Sequence, residues 1–407
     1  MGRSSIFSLD QIYRKQVVGT WSKIPEVFRY VNSLGGSSPA GTDYGYNAGG
    51  YVPSSPSRVS RVDRIDYGND TATASPKGSL SVGRNGLAAV SSQSFGYVAG
   101  GIGGSPAGDL STIDRIDYSN DTPTASPKGN LSSTRHSGCP VGNKDFGYVV
   151  SGRYDYSPGG NQVNSTIDRI DYSSDTSTAL LKGNTTIAAY FFQAGAGNQS
   201  YGYVASVRTP SITEGTTTNR IDYSNDTATA SVKGPLAHQF SRGAATGNAN
   251  YGYVGGGLDF LYTRTYVQRI DYASDTSTTV NKGPLVLAKY THSATSSTTH
   301  GYFSGGKNPG APSVGWSNTD RIDYDNDTAT AVDKSPLSAA RTYLGSTSSR
   351  EYGNPTTILS GIVPATRTES GAPSPVGTDY GYFSGGINPN KASSLERIDY
   401  NNDTATT

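Results

Sequence analysis

Sulfur is nearly absent from this chain of 407 residues, which holds one methionine and one cysteine, Cys139. A single thiol excludes an internal disulfide framework and any zinc site built from several thiolates. Long apolar runs are absent as well, and none approaches the roughly 18 residues that a membrane-spanning helix needs. The first residues carry no extended apolar segment, so a secretory signal is not expected.

An excess of charge of one sign is also lacking. The 33 lysines and arginines are balanced by 32 aspartates and glutamates, which argues against a basic nucleic-acid-binding surface. Hydrophobic residues make up only 33% of the chain and charged residues 16%, which does not suit a helical protein. Glycine, with 51 residues, and tyrosine, with 29, are abundant instead. Their regular recurrence with valine and isoleucine predicts an ordered all-β protein.

The dominant feature is an internal repeat with a period of about 50 residues. The string Arg-Ile-Asp-Tyr occurs seven times, and an aromatic residue or histidine followed by Gly-Tyr precedes each copy. In most copies two small residues, usually glycines, begin three positions after that tyrosine. The arginines of the seven copies are Arg64, Arg115, Arg169, Arg220, Arg269, Arg321 and Arg397.

Each repeat is predicted to form four short strands. In the second repeat these are residues 87–90, the Gly-Tyr-Val-Ala-Gly-Gly segment, the segment ending in Arg-Ile-Asp-Tyr, and the threonine-rich segment that follows. Alternation along the third strand places Ile116 and Tyr118 on one face and Arg115 and Asp117 on the other. The Ser-Asn-Asp segment suits a tight turn, and the diglycine predicts a close approach of two backbones.

These features resemble the kelch repeat. The resemblance covers residues 40–407 and implies an all-β fold, a kelch-like β-propeller with seven four-stranded blades whose domain spans residues 38–407. The last interval between copies is 76 residues, which predicts an insertion at about 350–373 in the last blade, with a degenerate eighth blade as the alternative. The first repeat lacks a first strand, and residues 27–33 are the expected donor that closes the ring.

The repeated charged residues are interpreted as structural. Residues that recur once per blade form ladders, so Arg115 is expected to pair with Asp117 or with an adjacent blade. The cluster Asp325–Asp327 lacks the spacing of an EF-hand, and no metal or other cofactor is predicted. The five glutamates and four histidines form no recognisable catalytic motif, so neither enzyme activity nor a catalytic residue is predicted.

The connections between the second and third strands differ in every repeat, while the frame around them is constant. In a four-stranded meander these connections emerge on one face, where variable loops on a rigid scaffold commonly bind ligands. Their aromatic side chains offer large rigid contact areas, and packing against adjacent loops is the alternative use. The candidate ligand-binding residues are Tyr51, Tyr154, Tyr156, Phe260, Tyr262, Tyr266 and Trp316.

Residues 1–37 stand outside the repeats and are rich in aromatic side chains. This segment is predicted either to pack on the propeller or to dock on another protein. The candidate docking residues are Phe7, Tyr13, Trp21 and Phe28.

The N-terminal segment Ser-Ile-Phe-Ser-Leu-Asp-Gln-Ile-Tyr-Arg-Lys-Gln, followed by the tandem repeats, is similar to that of kelch-like virion proteins of tailed phages that infect marine cyanobacteria and related bacteria. The resemblance implies a non-enzymatic structural protein of the virion. Its N-terminal segment would bind other virion proteins in a symmetric, multi-copy assembly, without nucleic-acid binding or membrane insertion.

Two functions suit such a protein. One is a tail- or fibre-type propeller displayed on the particle for decoration or for host-surface attachment through a glycan or receptor, and the other is a purely architectural role in the tail, neck or capsid. A glycan-processing enzyme is a third hypothesis, although no carboxylate pair supports it.

Overall fold

The computed structural model describes residues 44–53, 57–154, 162–188, 194–205, 215–260, 262–308, 310 and 314–350, and the backbone of two further strands, Tyr380–Ser384 and Leu395–Asp399. The chain divides into two compact units, residues 1–358 and 359–407. No helix in these described ranges is long and apolar enough to cross a bilayer. The helices present are single 3₁₀ turns at Tyr67–Asn69, Tyr172–Ser174, Tyr223–Asn225 and Tyr272–Ser274.

The first unit contains six four-stranded antiparallel sheets, numbered here along the chain and given from first to fourth strand. Sheet 1 comprises Gly345–Ser348, Tyr44–Ala48, Val62–Asp66 and Ser75–Lys77. Sheet 2 comprises Ala88–Ser91, Phe95–Ala99, Thr112–Asp117 and Ser126–Asn130, and sheet 3 comprises Cys139–Gly142, Phe146–Tyr154, Gln162–Asp171 and Leu180–Asn184. Sheet 4 comprises Ala194–Gly197, Tyr201–Ala205, Thr218–Asp222 and Ser231–Lys233. Sheet 5 comprises Ala244–Gly247, Tyr251–Gly255, Val267–Asp271 and Val280–Lys282, and sheet 6 comprises Ser293–Ser296, His300–Ser304, Thr319–Asp323 and Val332–Lys334.

Short ribbons extend the connections between the second and third strands. Two of these ribbons have two strands each. The third has three strands, because it also pairs with the segment that leads into the first strand of sheet 2. The ribbons are Tyr51–Val52 with Ser57–Arg58, Leu258–Asp259 with Tyr262–Thr263, and Ile102–Gly103 with Gly108–Asp109 and Arg84–Asn85.

The six sheets follow one another in a β-propeller-like arrangement. The first strand of each sheet lies beside the first strands of the sheets before and after it, and that of sheet 6 lies beside that of sheet 1. The six first strands therefore follow one another in a closed cycle, and none of them is left as an exposed edge.

Sheet 1 joins the two ends of this cycle. Its second strand, Tyr44–Ala48, pairs on one side with Val62–Asp66 and on the other with Gly345–Ser348. Residues 27–33 lie outside the described residues, and the edge predicted for them is paired with Gly345–Ser348. A segment that directly follows sheet 6 reaches the open edge without crossing the ring, which favours it as the donor.

The described residues do not confirm the prediction of seven four-stranded blades. Gly345–Ser348, which would have begun a seventh blade, is used by sheet 1. The seventh repeat, in the second unit, shows a two-stranded pair of Tyr380–Ser384 with Leu395–Asp399. The predicted insertion at about 350–373 lies outside the described residues.

The turn between the third and fourth strands forms as predicted, but the fourth strand begins later. In sheet 2 the Asp117 side chain accepts a hydrogen bond from the Ser119 N–H at 2.9 Å. The fourth strand is Ser126–Asn130, not the threonine-rich segment before it. Ala125, at the end of that segment, donates to the carbonyl of Ser79, beyond the last strand of sheet 1. The threonine-rich segment therefore connects sheets instead of lengthening one.

Tyrosine pairs join neighbouring sheets. Tyr97, from a Gly-Tyr motif, stacks on Tyr172, from the next Arg-Ile-Asp-Tyr motif, with ring centroids 4.8 Å apart and planes 13° apart. Such a stack stabilises by about 1 kcal/mol beyond the burial of its area. The other stacks join Tyr46 with Tyr118, Tyr148 with Tyr223, Tyr203 with Tyr272, Tyr253 with Tyr324, and Tyr302 with Tyr67.

An aspartate beside each stack gathers three partners from the preceding sheet. Asp175 lies 2.7 Å from Arg115 and 3.7 Å from Lys128, and it accepts a hydrogen bond from the Tyr97 hydroxyl at 3.1 Å. The repeated arginine thus pairs with the adjacent sheet, which confirms its structural interpretation. The equivalent aspartates are Asp121, Asp226, Asp275, Asp327 and Asp70.

Candidate functional site

The variable connections lie on one face of the ring. In sheet 2 the start of the first strand, Ala88, pairs with the end of the second strand, Ala99, so both lie at the same end of the sheet. The other sheets repeat this register. We call this end the loop face: it holds the connections between the second and third strands and the segments that lead into the first strands.

Diglycines bring these two kinds of segment into contact. Gly100 and Gly101 have φ angles of +63° and +100°, and Gly101 donates to the carbonyl of Arg135, which leads into the next sheet. A Cβ atom on Gly100 would lie 2.5 Å from that carbonyl oxygen, so no larger residue fits without a backbone shift. The predicted close approach of two backbones is confirmed, and it fixes where each variable loop begins.

Buried ion pairs hold the segments that lead into the first strands. Arg84 and Asp114 form a pair at 3.0 Å, and both side chains are 0% exposed. Arg84 also donates to the carbonyl of Thr112, while Asp114 accepts from the Ser81 N–H and hydroxyl. Three further pairs occupy the equivalent positions in sheets 3, 6 and 1: Arg135 with Asp168, Lys289 with Asp320, and Arg341 with Asp63.

Sheet 5 replaces this ion pair by a neutral arrangement. Gln268 stands at the aspartate position and Phe240 at the cation position, and both are buried. The Gln268 amide accepts from the His238 N–H at 2.8 Å and donates to the His238 carbonyl at 3.1 Å. A sequence pattern that we did not use predicts where the ion pair forms. The residue before Arg-Ile-Asp-Tyr is an aspartate only in repeats where a lysine or arginine stands four positions before the first strand.

Backbone hydrogen bonds run around the centre of the loop face. The N–H of Tyr343 donates to Thr291, that of Gly86 to Tyr343, that of Ser137 to Gly86, and that of Thr291 to Arg242, at 2.7 to 2.9 Å. Ser137, Arg242, Thr291 and Tyr343 have φ angles between +55° and +59°, a region that costs a non-glycine residue about 1 kcal/mol. We call these four residues and Gly86 the axial mouth.

A cavity of about 70 Å³ lies among the first strands at the axial mouth. Its lining includes Thr291 and Tyr343, and beside them His292, Ser293 and Ser346. Burial, and next the positive charge of Lys289, lowers the pKa of His292 to about 3, so its imidazole is neutral at physiological pH. The polar groups at this cavity are therefore hydroxyls and a neutral ring.

Three of the predicted ligand-binding aromatics serve the packing of the loop face. Tyr51 and Thr342 exchange two backbone hydrogen bonds, at 2.7 and 2.9 Å, and the Tyr51 side chain is half-buried. Trp316, also half-buried, donates from its backbone N–H to the carbonyl of Gly306. The Tyr154 hydroxyl accepts from the Asn164 amide at 2.6 Å. Tyr156 lies outside the described residues, as do Phe7, Tyr13, Trp21 and Phe28.

The other three predicted aromatics meet on the connection of sheet 5. Phe260 and Tyr262 are each 66% exposed, and Phe260 takes a left-handed φ of +58° at the tip of the ribbon. Tyr266, 37% exposed, stacks on His238 with ring centroids 4.4 Å apart. Arg264 lies 2.8 Å from Asp259 and braces the ribbon. We call Phe260, Tyr262 and Tyr266 the aromatic ribbon.

Two cations and two tyrosines lie together at the axial mouth, to which Arg242 and Tyr343 belong. The Lys307 ammonium lies 5.6 Å from the centre of the Tyr290 ring and 5.4 Å from that of Tyr343. The Arg242 guanidinium lies 6.0 Å from the Tyr290 ring. Sequence reasoning did not single out these four residues, because their side chains do not recur from repeat to repeat. Arg242 and Tyr343 both stand two residues before a first strand, and the neighbours that they meet depend on the ring.

Within the described ranges, no three histidine, cysteine, aspartate or glutamate side chains come together as a metal site. In the cluster Asp325–Asp327, Asp327 is bound by Arg269, Lys282 and the Tyr253 hydroxyl. Cys139 is fully buried, and burial raises the pKa of its thiol.

Comparison with known proteins supports the fold. No protein-family model matches the chain, and no curated protein matches it in sequence. Among solved structures, the structure of YjhT superposes with a TM-score of 0.54 over 65% of this chain and 87% of that chain, at 11% identity. A likeness at this identity concerns the fold alone, and it agrees with an all-β, β-propeller-like architecture for this chain.

Proposed function

We propose that the chain is a kelch-like β-propeller of a phage virion, a non-enzymatic structural protein that presents its loop face for attachment to a host-surface glycan. The observation that carries this proposal is the aromatic ribbon. A soluble protein rarely exposes large rings in one cluster without a partner, and rings with polar neighbours suit the flat, partly apolar faces of sugars.

The scaffold beneath the ribbon suits such a role. The ribbon grows from Leu258, which exchanges two backbone hydrogen bonds with Ser241 at 2.8 Å. Ser241 lies beside Phe240 and so rests on the neutral core arrangement of sheet 5. Rigid rings on a fixed backbone lose little conformational entropy when they bind, which favours recognition.

The test is binding of the fluorescently labelled full chain to cells and purified envelope polysaccharides from a panel of marine cyanobacteria. The double variant Phe260→Ala, Tyr262→Ala should bind at least roughly tenfold more weakly, since two exposed stacking platforms are lost. The matched control is Leu181→Ala, which removes a side chain 59% exposed on the outer strand of sheet 3. Equal binding by the double variant and the wild type would contradict the proposal.

A second function, an architectural one within the virion, is favoured by a different observation. The outermost strands of sheets 3 to 6 expose apolar side chains that have no role inside the ring. In assembled particles, contacts with other virion proteins would protect these strands from covalent surface labelling, and also the aromatic ribbon if the loop face is an internal contact. Full labelling of both in intact particles would exclude this role. The exposed side chains are Leu180, Leu181, Val232, Val280 and Val332, which are 49% to 59% exposed.

A further inference from the structure

A charged pair lies among the rings of the aromatic ribbon. Asp259 and Tyr262 stand directly opposite each other across its two strands, so their side chains share one face, with Cβ atoms about 5 Å apart. The guanidinium of Arg264, the partner of Asp259, lies 5.5 Å from the centre of the Tyr262 ring and 5.7 Å from that of Tyr266. The polar groups of the pair are therefore direct neighbours of the rings.

The position of this pair is fixed, while part of its hydrogen-bonding capacity is unused. Arg264 donates from Nε and one Nη to the same oxygen of Asp259, at 3.2 and 2.8 Å, and its backbone N–H donates to the carbonyl of Gly257 at 3.0 Å. The other Asp259 oxygen accepts from the Gln239 amide at 3.2 Å. Within the described residues the remaining side-chain N–H groups of Arg264 have no acceptor, and the two side chains are 32% and 21% exposed. The pair therefore offers both donors and acceptors to a ligand.

The third ring of the ribbon is held by planar neighbours. His238 stacks on Tyr266 with ring planes 24° apart, and its Nε2 lies 2.9 Å from the amide nitrogen of Asn281. Tyr266 thus contacts His238 as well as Arg264, and it is the least exposed of the three rings. The other two rings of the aromatic ribbon, each 66% exposed, are the open surfaces on which a ligand can stack.

The charges of Asp259 and Arg264 compensate each other, which decides the kind of sugar that suits the pair. A ligand carboxylate or sulfate would have to displace Asp259 from Arg264 or lie beside a carboxylate of its own sign, and either arrangement costs free energy. Hydroxyl groups meet no such penalty, because each one donates and accepts, so they can bond to both side chains while the ion pair stays intact. Adjacent hydroxyls on a pyranose ring present this combination next to a partly apolar ring face.

We propose that Asp259 and Arg264 bind neighbouring hydroxyl groups of a sugar ring that stacks on Phe260 or Tyr262, so that the glycan recognised by the aromatic ribbon is a neutral one. The carboxylate accepts from one hydroxyl, and the guanidinium donates to the next. The rings supply contact area, and the charged pair determines the specificity. This inference rests on the proposed glycan-binding function and specifies the class of glycan.

The experiment measures fluorescence anisotropy of labelled polymers with the full chain at constant ionic strength. The neutral polymers are dextran, laminarin, mannan and galactan, and the acidic ones are polygalacturonate and dextran sulfate. Arg264→Lys keeps an ion pair with Asp259, so the ribbon stays braced, but it removes the planar set of N–H groups. Asp259→Asn keeps the shape of the side chain and leaves Arg264 without its counter-ion.

Two control variants match these substitutions. Arg58→Lys changes an arginine on the connection of sheet 1, whose Nε donates to Asn85 at 3.1 Å. Asp145→Asn removes the carboxylate that pairs with Lys144 in the turn between the first and second strands of sheet 3, at the end of the sheet opposite the loop face. Both controls should bind every polymer as the wild type does.

We expect at least one neutral polymer to bind the wild type roughly tenfold more tightly than either acidic polymer, the factor that one charged hydrogen bond provides. Arg264→Lys should weaken binding of that neutral polymer by roughly the same factor. Asp259→Asn should weaken it too and should strengthen binding of the acidic polymers, because the guanidinium is then uncompensated. The inference is overturned if no neutral polymer is preferred, if Arg264→Lys binds as the wild type does, if Asp259→Asn gains no affinity for acidic polymers, or if a control loses as much.

A failure of the proposed function gives a different pattern. If the double variant Phe260→Ala, Tyr262→Ala loses binding to cells while Arg264→Lys and Asp259→Asn bind cells and polymers as the wild type does, the glycan function stands and the role of the charged pair is wrong. If the double variant binds cells normally while the neutral preference is present and depends on Arg264, the sugar site stands and attachment to the host through the ribbon is wrong.

Discussion

The buried pair of Arg84 and Asp114 offers the sharpest test of how this ring is built. Asp114→Asn keeps the shape of the side chain and removes its charge, which leaves the Arg84 guanidinium buried with no counter-ion. Both side chains are 0% exposed, so water does not screen the loss. Breaking such a pair from one side costs about 4 kcal/mol, because the remaining charge stays desolvated.

The neutral arrangement in sheet 5 supplies the rescue. Arg84→Phe combined with Asp114→Gln copies Phe240 and Gln268, so no buried charge remains and the amide can bond to the backbone as it does at His238. We expect this double variant to be more stable than Arg84→Phe or Asp114→Gln alone and within about 2 kcal/mol of the wild type, since exchanging a buried ion pair for packed neutral groups is often nearly neutral.

Urea unfolding of the full chain at pH 7, followed by circular dichroism and by tyrosine fluorescence, measures these differences. Asp145→Asn is the control, because its partner Lys144 is exposed and the pair stabilises by at most about 1 kcal/mol. If the losses of the two single variants simply add in the double variant, the two positions do not act as a pair and the argument from sheet 5 fails.

Three further predictions concern the contacts between sheets, a buried histidine and the closure. Gly183→Ala should destabilise the fold by about 3 kcal/mol in urea unfolding, because its Cβ would lie 2.0 Å from the carbonyl oxygen of Ala228. The control Gly68→Ser, at a turn position where other repeats carry serine, should be neutral. Equal effects of the two variants would refute the close approach at Gly183. His292 has a lowered pKa in the folded chain, so its contribution to the free energy of unfolding is complete above the unfolded pKa of about 6.5. That contribution is lost as the pH falls from there towards 3, by up to about 1.4 kcal/mol per pH unit. In a pH series of urea midpoints, His292→Gln should show a flatter slope over this window, and an unchanged slope would contradict the lowered pKa. Deletion of residues 359–407 should leave the melting temperature in calorimetry unchanged within a few degrees, because sheet 1 receives its first strand from residues 345–348. If the truncated chain is unfolded instead, the ring depends on a seventh blade from the deleted residues.

Much of the repeat could be predicted from its residues. The alternation of Ile116 and Tyr118 with Arg115 and Asp117 gave the correct buried face, since burial on one side of a strand imposes a period of two. The diglycines and the turn also followed from local chemistry. The fourth strand was placed too early, because threonine favours strands in general while here its segment bonds to the neighbouring sheet.

The closure and most of the candidate site needed the structure. Nothing local in Gly345–Ser348 shows whether it pairs with Tyr44–Ala48 or with the next repeat, since both candidates begin with Tyr-Gly-Tyr. Exposed aromatics could be nominated by type, yet Tyr51 and Trp316 are half-buried while Tyr262 is 66% exposed, and this difference depends on the folded neighbours. The meeting of Arg242 with Lys307 depends on the curvature of the ring and leaves no periodic trace.

The pairing of Gly345–Ser348 with Tyr44–Ala48 has a consequence for synthesis in the cell. The ribosome releases Tyr44–Ala48 about 300 residues before its partner, which at roughly 5 to 20 residues per second is a delay of about 15 to 60 seconds. During that time one edge of the strand has no partner and could pair with another nascent chain. A host chaperone that shields this edge would then raise the yield of the folded protein, and the exposure ends once Gly345–Ser348 has left the ribosome and paired.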